Sequence, residues 1–222
     1  MKIIDTLKQI TTNEETIKYI ETVWDITATE FEVARPFLSP TNRMKREEIS
    51  FHQDVKLLGY LCLLIDDLKG DIIEIGIWKG KTLAFMNKVS NSSRNVVGID
   101  PCLLFNQKQE LLFYKEKVFP DCLIFQGFSE DLVAEVREIT SAIALLHIDG
   151  GHDKRNVFLD FLLYSPLVVS GGFIVFDDYH DNDHSPQVGP AVDLLRVGGF
   201  FNEYTIIGSV DNFRNSYVLR KN

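Results

Sequence analysis

The stretch IIEIGIWKGKTLAFMNKVSNSSRNVVGID, residues Ile72–Asp100, decides the fold. Its two ends are short apolar runs bounded by turn residues, the pattern of strands buried on both faces of a parallel sheet. The spacing predicts a strand over Asp71–Ile75, a turn over Gly76–Gly80, a helix over Lys81–Val89, and a second strand over Asn95–Ile99 that ends on Asp100. Leu83, Phe85, Met86 and Val89 supply the inward stripe of the helix. A strand–turn–helix–strand unit of this kind builds a nucleotide-type site. Glycines permit close backbone approach, and an acid at the tip of the second strand can accept hydrogen bonds from a ribose diol.

Three glycine motifs compete for the turn. A dinucleotide G-x-G-x-x-G is absent, because Trp78 stands at its middle glycine. Gly80-Lys81-Thr82 imitates the end of a phosphate-binding P-loop, but Ile75 occupies the position of that motif's first glycine. What remains is acid-x-Gly-x-x-x-Gly, with Glu74 ahead of Gly76 and Asp100 closing the second strand. Glu74, Gly76, Trp78, Gly80, Thr82 and Asp100 are therefore the candidate cofactor-binding residues of this unit.

Working outward, the βα alternation continues to the far end of the chain. Helices are expected over Gln107–Phe119, Glu130–Ile139 and Lys154–Tyr164, with strands over Cys122–Gln126, Ser141–Ile148 and Phe173–Phe176. The last of these strands is entered through a Gly171-Gly172 turn. A helix over Val188–Val197 follows. Two β-rich runs, Tyr204–Ile207 and Ser216–Leu219, then read as an antiparallel hairpin around Ser209–Asn215. The pattern by itself shows α/β, and five strands alternating with helices predict a doubly wound parallel sheet.

Residues 1–70 are helical in pattern and read as an N-terminal extension, leaving 71–222 as the cofactor-binding domain. Thr12-Asn13-Glu14-Glu15 is a capping-box signature for a helix that Pro36 stops. A break over Pro36–Asn42 leads to a basic cluster, Arg43, Lys45 and Arg46. A second helix then carries Val55, Leu58, Leu61, Leu64 and Leu68 inward, and Phe51 and His52 stand at its start. This extension reads as a cover on the sheet or a homodimer contact, with a substrate lid as the rival.

The 222 residues carry 45% hydrophobic and 25% charged residues, ordinary for a globular domain. A formal charge of −9 and a pI near 5.0 argue against nucleic acid or an anionic membrane as the partner. Three scattered cysteines without paired spacing are expected to be reduced cytoplasmic thiols. The longest apolar run, Leu57–Ile65, is too short to span a bilayer, and no signal-peptide core follows Met1.

Ligands of such sheets sit beyond the carboxyl ends of the strands. There the third strand delivers Phe128 and Ser129, expected beside an adenine. The fourth delivers Asp149-Gly150-Gly151-His152, and the fifth Asp177-Asp178. Asp149, Asp177 and Asp178 would repel one another unless a proton or cation lay between them. A hard divalent cation such as Mg²⁺ fits three clustered carboxylates, whereas caps on loop and helix amides are the plainer use of strand-end acids. His152 is the candidate proton acceptor, with a helix cap as its plainer role. The cluster His180–His184, beside Ser185-Pro186, reads as a mobile loop over the pocket rather than a second metal site.

With these motifs together, the sequence resembles the class I S-adenosylmethionine-dependent methyltransferases. EIGIWKG, IDGGH and GGFIVFDDY look like the metal-dependent macrocin O-methyltransferase branch, over roughly Ile72–Tyr179. The resemblance implies a mostly parallel Rossmann-like sheet with an antiparallel C-terminal hairpin. It also implies S-adenosylmethionine as methyl donor, Mg²⁺ held by Asp149, Asp177 and Asp178, and cofactor contacts that include Asp149. It implies a small-molecule acceptor, a sugar hydroxyl first and a catechol-like phenol second. The branch places its base at the position of Gly151, and the catechol-type enzymes place a lysine at that of His152. His152 and Asp149 are therefore the catalytic candidates. Rival readings are a nicotinamide-dependent oxidoreductase and a catalytically silent S-adenosylmethionine-binding scaffold.

Overall fold

The computed structural model describes residues 3–43, 53–90 and 94–222. Lys45, Arg46, Phe51 and His52 lie outside these. Three helices precede the sheet: α1 (Ile3–Thr12), α2 (Glu14–Ala34) and α3 (Lys56–Leu64). The alternating part runs β1 (Asp71–Ile75), α4 (Lys81–Ser90), β2 (Val96–Asp100), α5 (Gln107–Val118), β3 (Leu123–Gln126), α6 (Ser129–Ile139), β4 (Ile143–Ile148), α7 (Lys154–Tyr164) and β5 (Val168–Phe176). It closes with α8 (Val188–Val197), β6 (Tyr204–Val210) and β7 (Phe213–Lys221).

The seven strands form one sheet in the order β3-β2-β1-β4-β5-β7-β6. β1 to β5 pair in parallel, and β7 is antiparallel to both its neighbours. The order reverses between β1 and β4, so the switch-point crevice opens at the ends of those strands. Because strand side chains alternate, each strand feeds two cores. Ile72, Val96, Leu145, Phe173 and Val175 pack toward α2–α5, while Ile73, Ile75, Val97, Leu146, Ile148 and Phe176 pack toward α6–α8. Trp24 of α2 meets Phe85 of α4 edge to face at 5.0 Å, and Phe31 packs on Tyr114 at 4.5 Å. The N-terminal helices are thus a layer of the domain's own core.

Several boundaries differ from expectation for identifiable reasons. α1 runs through Thr12, whose hydroxyl bonds back to Lys8 O at 2.8 Å. The cap of α2 is therefore Asn13, whose Oδ1 accepts from Thr16 N at 2.9 Å. α3 stops at Leu64 instead of continuing to Leu68. Gly171 and Gly172 do not turn the chain into a new strand. They sit inside β5 as a bulge, with Gly171 at φ +87° and the register moving from Ile143↔Val168 to Leu145↔Phe173. The hairpin turn is only Asp211-Asn212, with Val210 paired to Phe213 and Asn212 at φ +72°. The polar residues from Ser209 to Asn215 read as loop in sequence, yet an outer hairpin can expose polar side chains without leaving the ladder.

Arg94, just before β2, ties the α3 exit to the sheet. Its guanidinium donates to Gly70 O at 3.0 Å, Ile65 O at 2.8 Å, Asp66 O at 3.1 Å and Leu68 O at 3.0 Å. These carbonyls follow the last turn of α3 and have no continuing helix to serve. Arg94→Met keeps the aliphatic stem and removes the donors. It is expected to lower stability by about 2–3 kcal/mol, read as a shifted urea midpoint at unchanged m-value.

Candidate active site

The glycine turn is shaped by contacts that leave no room for a side chain. Gly76 has φ +86°, and a Cβ there would stand 1.9 Å from the Asp149 carbonyl oxygen. Gly80, at φ +81°, lies against the Phe119 ring, 2.3 Å from such a Cβ. Trp78 holds a left-handed φ of +50° between them. Asp100 braces this geometry. Its Oδ2 accepts from Ile77 N at 3.1 Å and Trp78 N at 2.9 Å, and its Oδ1 accepts from Cys102 N at 2.7 Å and Gln107 Nε2 at 3.0 Å. Of these four donors only Gln107 is a side chain able to give way to a ribose hydroxyl. Lys79, inside the turn, points into the core and pairs with Glu110 at 2.9 Å. Lys81, the P-loop look-alike, lies 5.9 Å from the Trp24 ring centre.

A cavity of about 480 Å³ opens at the switch point, on the α6–α7 side of the strand ends. Gly76, Trp78, Asp100, Phe128, Ser129 and Asp149 line it, and His152 stands at its edge. Six of the nine expected cofactor residues therefore share one cavity. Glu74, Gly80 and Thr82 do not line it. Gly80 acts through the backbone course of the turn, and Thr82 is half-buried in α4.

Glu74 is placed elsewhere by strand periodicity. Ile73 and Ile75 face α6–α8, so Glu74 faces the opposite layer, beside its in-register partner His147. His147 Nδ1 lies 3.1 Å from Glu74 Oε1, and both residues are only 1% exposed. Burial pushes the Glu74 carboxyl up against the pull of His147. Burial works against the charged His147 ring, but Glu74, with Asp177 and Asp178 adding, outweighs it and the net shift is upward. His147 escaped the sequence reading because a lone histidine in an apolar strand carries no local signal.

Beneath the cavity, Ser129 donates its hydroxyl to Asp160 Oδ1, and Tyr164 OH donates to Ser129 O at 2.8 Å. Asp160 is 2% exposed, and burial pushes its carboxyl up to about 6. Neither residue of α7 was singled out from sequence.

The metal candidates divide into two overlapping groups. His147, Asp149 and Asp177 bring one donor atom each within 4.8 Å of one another, and so do Asp149, His152 and Asp178. Asp149 belongs to both, while Asp177 and Asp178 fall in different groups. In the second group His152 Nε2 is 3.4 Å from Asp178 Oδ2 and 3.9 Å from Asp149 Oδ1. Oxygen and imidazole donors around a small divalent cation stand about 3–3.5 Å apart, given bonds of roughly 2.1 Å. Asp149, Asp177 and Asp178 do not form one such group among the described residues, so a cation held by all three acids requires their side chains to close on it, while His152 Nε2 stands close enough to serve as a ligand or as a neighbouring base. Burial, then Asp177 and Asp178, hold the Asp149 carboxyl well above its ordinary range. Asp177 is raised by burial too, with His147 opposing and Asp178 adding. Asp149 does not cap the following helix; Asp153 does, accepting from Asn156 N at 3.0 Å. Asn156 also fills the space beside Gly151, where an added Cβ would meet its Nδ2 at 2.0 Å. The His180–His184 segment is an ordered turn, with Asp181 Oδ1 accepting from Asp183 N at 3.0 Å and His184 N at 2.9 Å.

A Rossmann-like sheet with an antiparallel closing hairpin, and a cavity over an acid-braced glycine turn, defines the methyltransferase fold. Comparison with known proteins agrees. Residues 73–179 match the family described as a methyltransferase domain. Uncharacterized protein R132 of Acanthamoeba polyphaga mimivirus is 32% identical over 151 residues, covering 66% of this chain and 68% of that protein. Among solved structures, CalS11, a TDP-rhamnose 3'-O-methyltransferase of calicheamicin biosynthesis, superposes with TM-score 0.59 at 17% identity, covering 94% of this chain and 95% of its own. An O-methyltransferase from Bacillus cereus in complex with SAH gives TM-score 0.58 at 14% identity, with 89% of each chain covered. The chain belongs to the methyltransferase-domain family, as a class I S-adenosylmethionine-dependent enzyme. This sets aside the nicotinamide reading. No helix among the described residues is long and apolar enough to cross a membrane.

Two outcomes follow from the electrostatics. Asp160 is raised in the folded chain above its unfolded value, so its contribution is full at low pH and is lost as pH rises through about 6. Asp160→Asn lacks this loss. Its stability relative to the parent should rise by about 2–3 kcal/mol between pH 4 and pH 7.5, measured by urea unfolding at both. In chelator at neutral pH, Asp149→Asn should be at least as stable as the parent, because it relieves repulsion among buried acids. A drop of more than about 1 kcal/mol in its unfolding free energy would show a capping role instead.

Proposed function

We propose that this enzyme is a divalent-cation-dependent O-methyltransferase, moving the methyl group of S-adenosylmethionine to a hydroxyl of a sugar or another small molecule with adjacent oxygens. The observation that carries this reading is the position of Asp149, shared between the cofactor cavity and both groups of cation-donor residues. A methyl donor held in that cavity and an acceptor at the acids would meet at one residue. The motif likeness to the macrocin branch and the stated activity of CalS11 support a sugar acceptor.

In this mechanism Gly76 and Trp78 give the cofactor its backbone bed. Phe128 and Ser129 flank the adenine, and the Asp100–Gln107 pair meets the ribose. Asp149, Asp177 and Asp178 would hold a cation such as Mg²⁺, which supplies acidity to a bound hydroxyl and a fixed positive charge for its oxygen. His152 Nε2 takes the hydroxyl proton. The oxygen lone pair then forms the new bond to the methyl carbon as the carbon–sulfur bond breaks, leaving S-adenosylhomocysteine. Catalysis is mostly positioning with electrostatic stabilisation of the oxyanion.

The test is methyl transfer from S-adenosylmethionine to catechol and to a set of nucleotide sugars, with and without EDTA. S-adenosylmethionine should bind in the micromolar range, roughly −8 kcal/mol by calorimetry. Transfer should fall at least about tenfold in EDTA and return with Mg²⁺, the scale of losing more than about 1.4 kcal/mol of transition-state stabilisation. Undiminished transfer in EDTA defeats the cation requirement, and failure to bind S-adenosylmethionine defeats the whole reading.

A further inference from the structure

Ser185 lies in the turn between β5 and α8, is 1% exposed, and touches two groups of the site at once. Its Oγ is 2.6 Å from Asp178 Oδ2 and 2.7 Å from His152 Nδ1. A hydroxyl has one proton to donate and lone pairs to accept with. An ionised carboxylate only accepts, so the Ser185 proton goes to Asp178. The equally short contact to His152 then requires the proton of that bond to come from the ring. We propose that Ser185 is a positioning residue that fixes His152 in the Nδ1–H tautomer, leaving Nε2 as the bare nitrogen that faces Asp149 and Asp178.

Packing does not make this choice. The His152 side chain is 43% exposed, and Nε2 makes no hydrogen bond to Asp178 at 3.4 Å or Asp149 at 3.9 Å among the described residues, so the 2.7 Å contact to Ser185 is the hydrogen bond that tells the two ring nitrogens apart. The hydroxyl itself is held by backbone that does not depend on it. Ser185 N donates to Asp181 O at 3.1 Å, Val188 N donates to Ser185 O at 3.1 Å, and Asp181 anchors the turn through the Asp183 and His184 amides. The same bond holds the Asp178 carboxylate, whose backbone sits at a left-handed φ of +58° that favours glycine. One buried hydroxyl thereby orients a carboxylate and selects the nitrogen that meets the acceptor. Its catalytic meaning rests on the proposed methyl transfer, in which His152 Nε2 takes the hydroxyl proton, whereas the tautomer itself does not.

The experiment is ring ¹⁵N–¹H correlation spectroscopy on the full ¹⁵N-labelled chain at pH 9, where an ordinary imidazole is neutral. The His152 signals are identified by their loss in His152→Gln. The wild-type ring should show a protonated Nδ1 and a bare Nε2. Ser185→Ala should convert this to exchange-averaged shifts of both tautomers. Its methyl transfer to catechol, or to the fastest nucleotide-sugar acceptor of the wild type, should fall at least about tenfold at unchanged S-adenosylmethionine affinity. A wild-type ring protonated on Nε2, or on both nitrogens, overturns the inference, and so does an unchanged ring in Ser185→Ala. The wild-type spectrum decides the matter even if the variant folds poorly. The expected tautomer in a wild type that transfers no methyl group would leave Ser185 in its role and overturn the proposed function instead.

Discussion

The backbone approach of Gly76 to Asp149 is the constraint on which the site depends. These residues leave the ends of β1 and β4, neighbours in the sheet although far apart in the chain. Asp149 N bonds to Ile75 O at 2.8 Å, and Gly76 N bonds to Ile99 O at 2.8 Å, so three strands are locked at the turn. A Cβ on Gly76 would sit 1.9 Å from the Asp149 carbonyl. Only glycine lets the turn after β1 and the end of β4 come this close. The glycine turn and the strand-end Asp149 are consequently parts of one junction.

Around that junction the structure buries several charged side chains. Lys79–Glu110 and Glu74–His147 are both removed from water, and Asp100 is engaged by three backbone amides and Gln107. Each has a specific partner, as burial of charge demands, although Glu74 Oε2 is buried without a hydrogen bond of its own. The Glu74–His147 pair has a particular place. It lies on the far face of the sheet from the cofactor cavity, with His147 within 4.8 Å of donor oxygens of Asp149 and Asp177. Its charge distribution is felt by Asp177, whose carboxyl His147 draws down against burial. The acids thus meet two histidines of different character, a buried one behind and a half-exposed one at the cavity.

This arrangement explains how an acidic chain can concentrate carboxylates at one strand edge without pulling the sheet apart. Burial and mutual repulsion raise Asp149 and Asp177, which favours a proton or a cation there. Hydrophobic packing on both faces supplies the rigidity that keeps them together. The N-terminal helices complete one of those faces.

What the sequence alone determined is everything carried by local pattern. Short apolar runs closed by glycine or acid, with helices between them, yielded the order of elements, the parallel sheet and the antiparallel end. The same runs disclosed Gly76, Asp100, Asp149 and the Asp177-Asp178 pair, because strand-end position is visible within a few residues. What only the tertiary structure decided is which side chains meet. Glu74 stands two residues from Gly76 yet turns to the opposite face, since side chains alternate along a strand. His147 meets it through register across β1 and β4, Asp160 meets Ser129 across two helices, and Ser185 reaches His152 and Asp178 through the folding of a turn. Such pairings depend on register and crossover geometry between distant segments, and no periodicity within a segment encodes them.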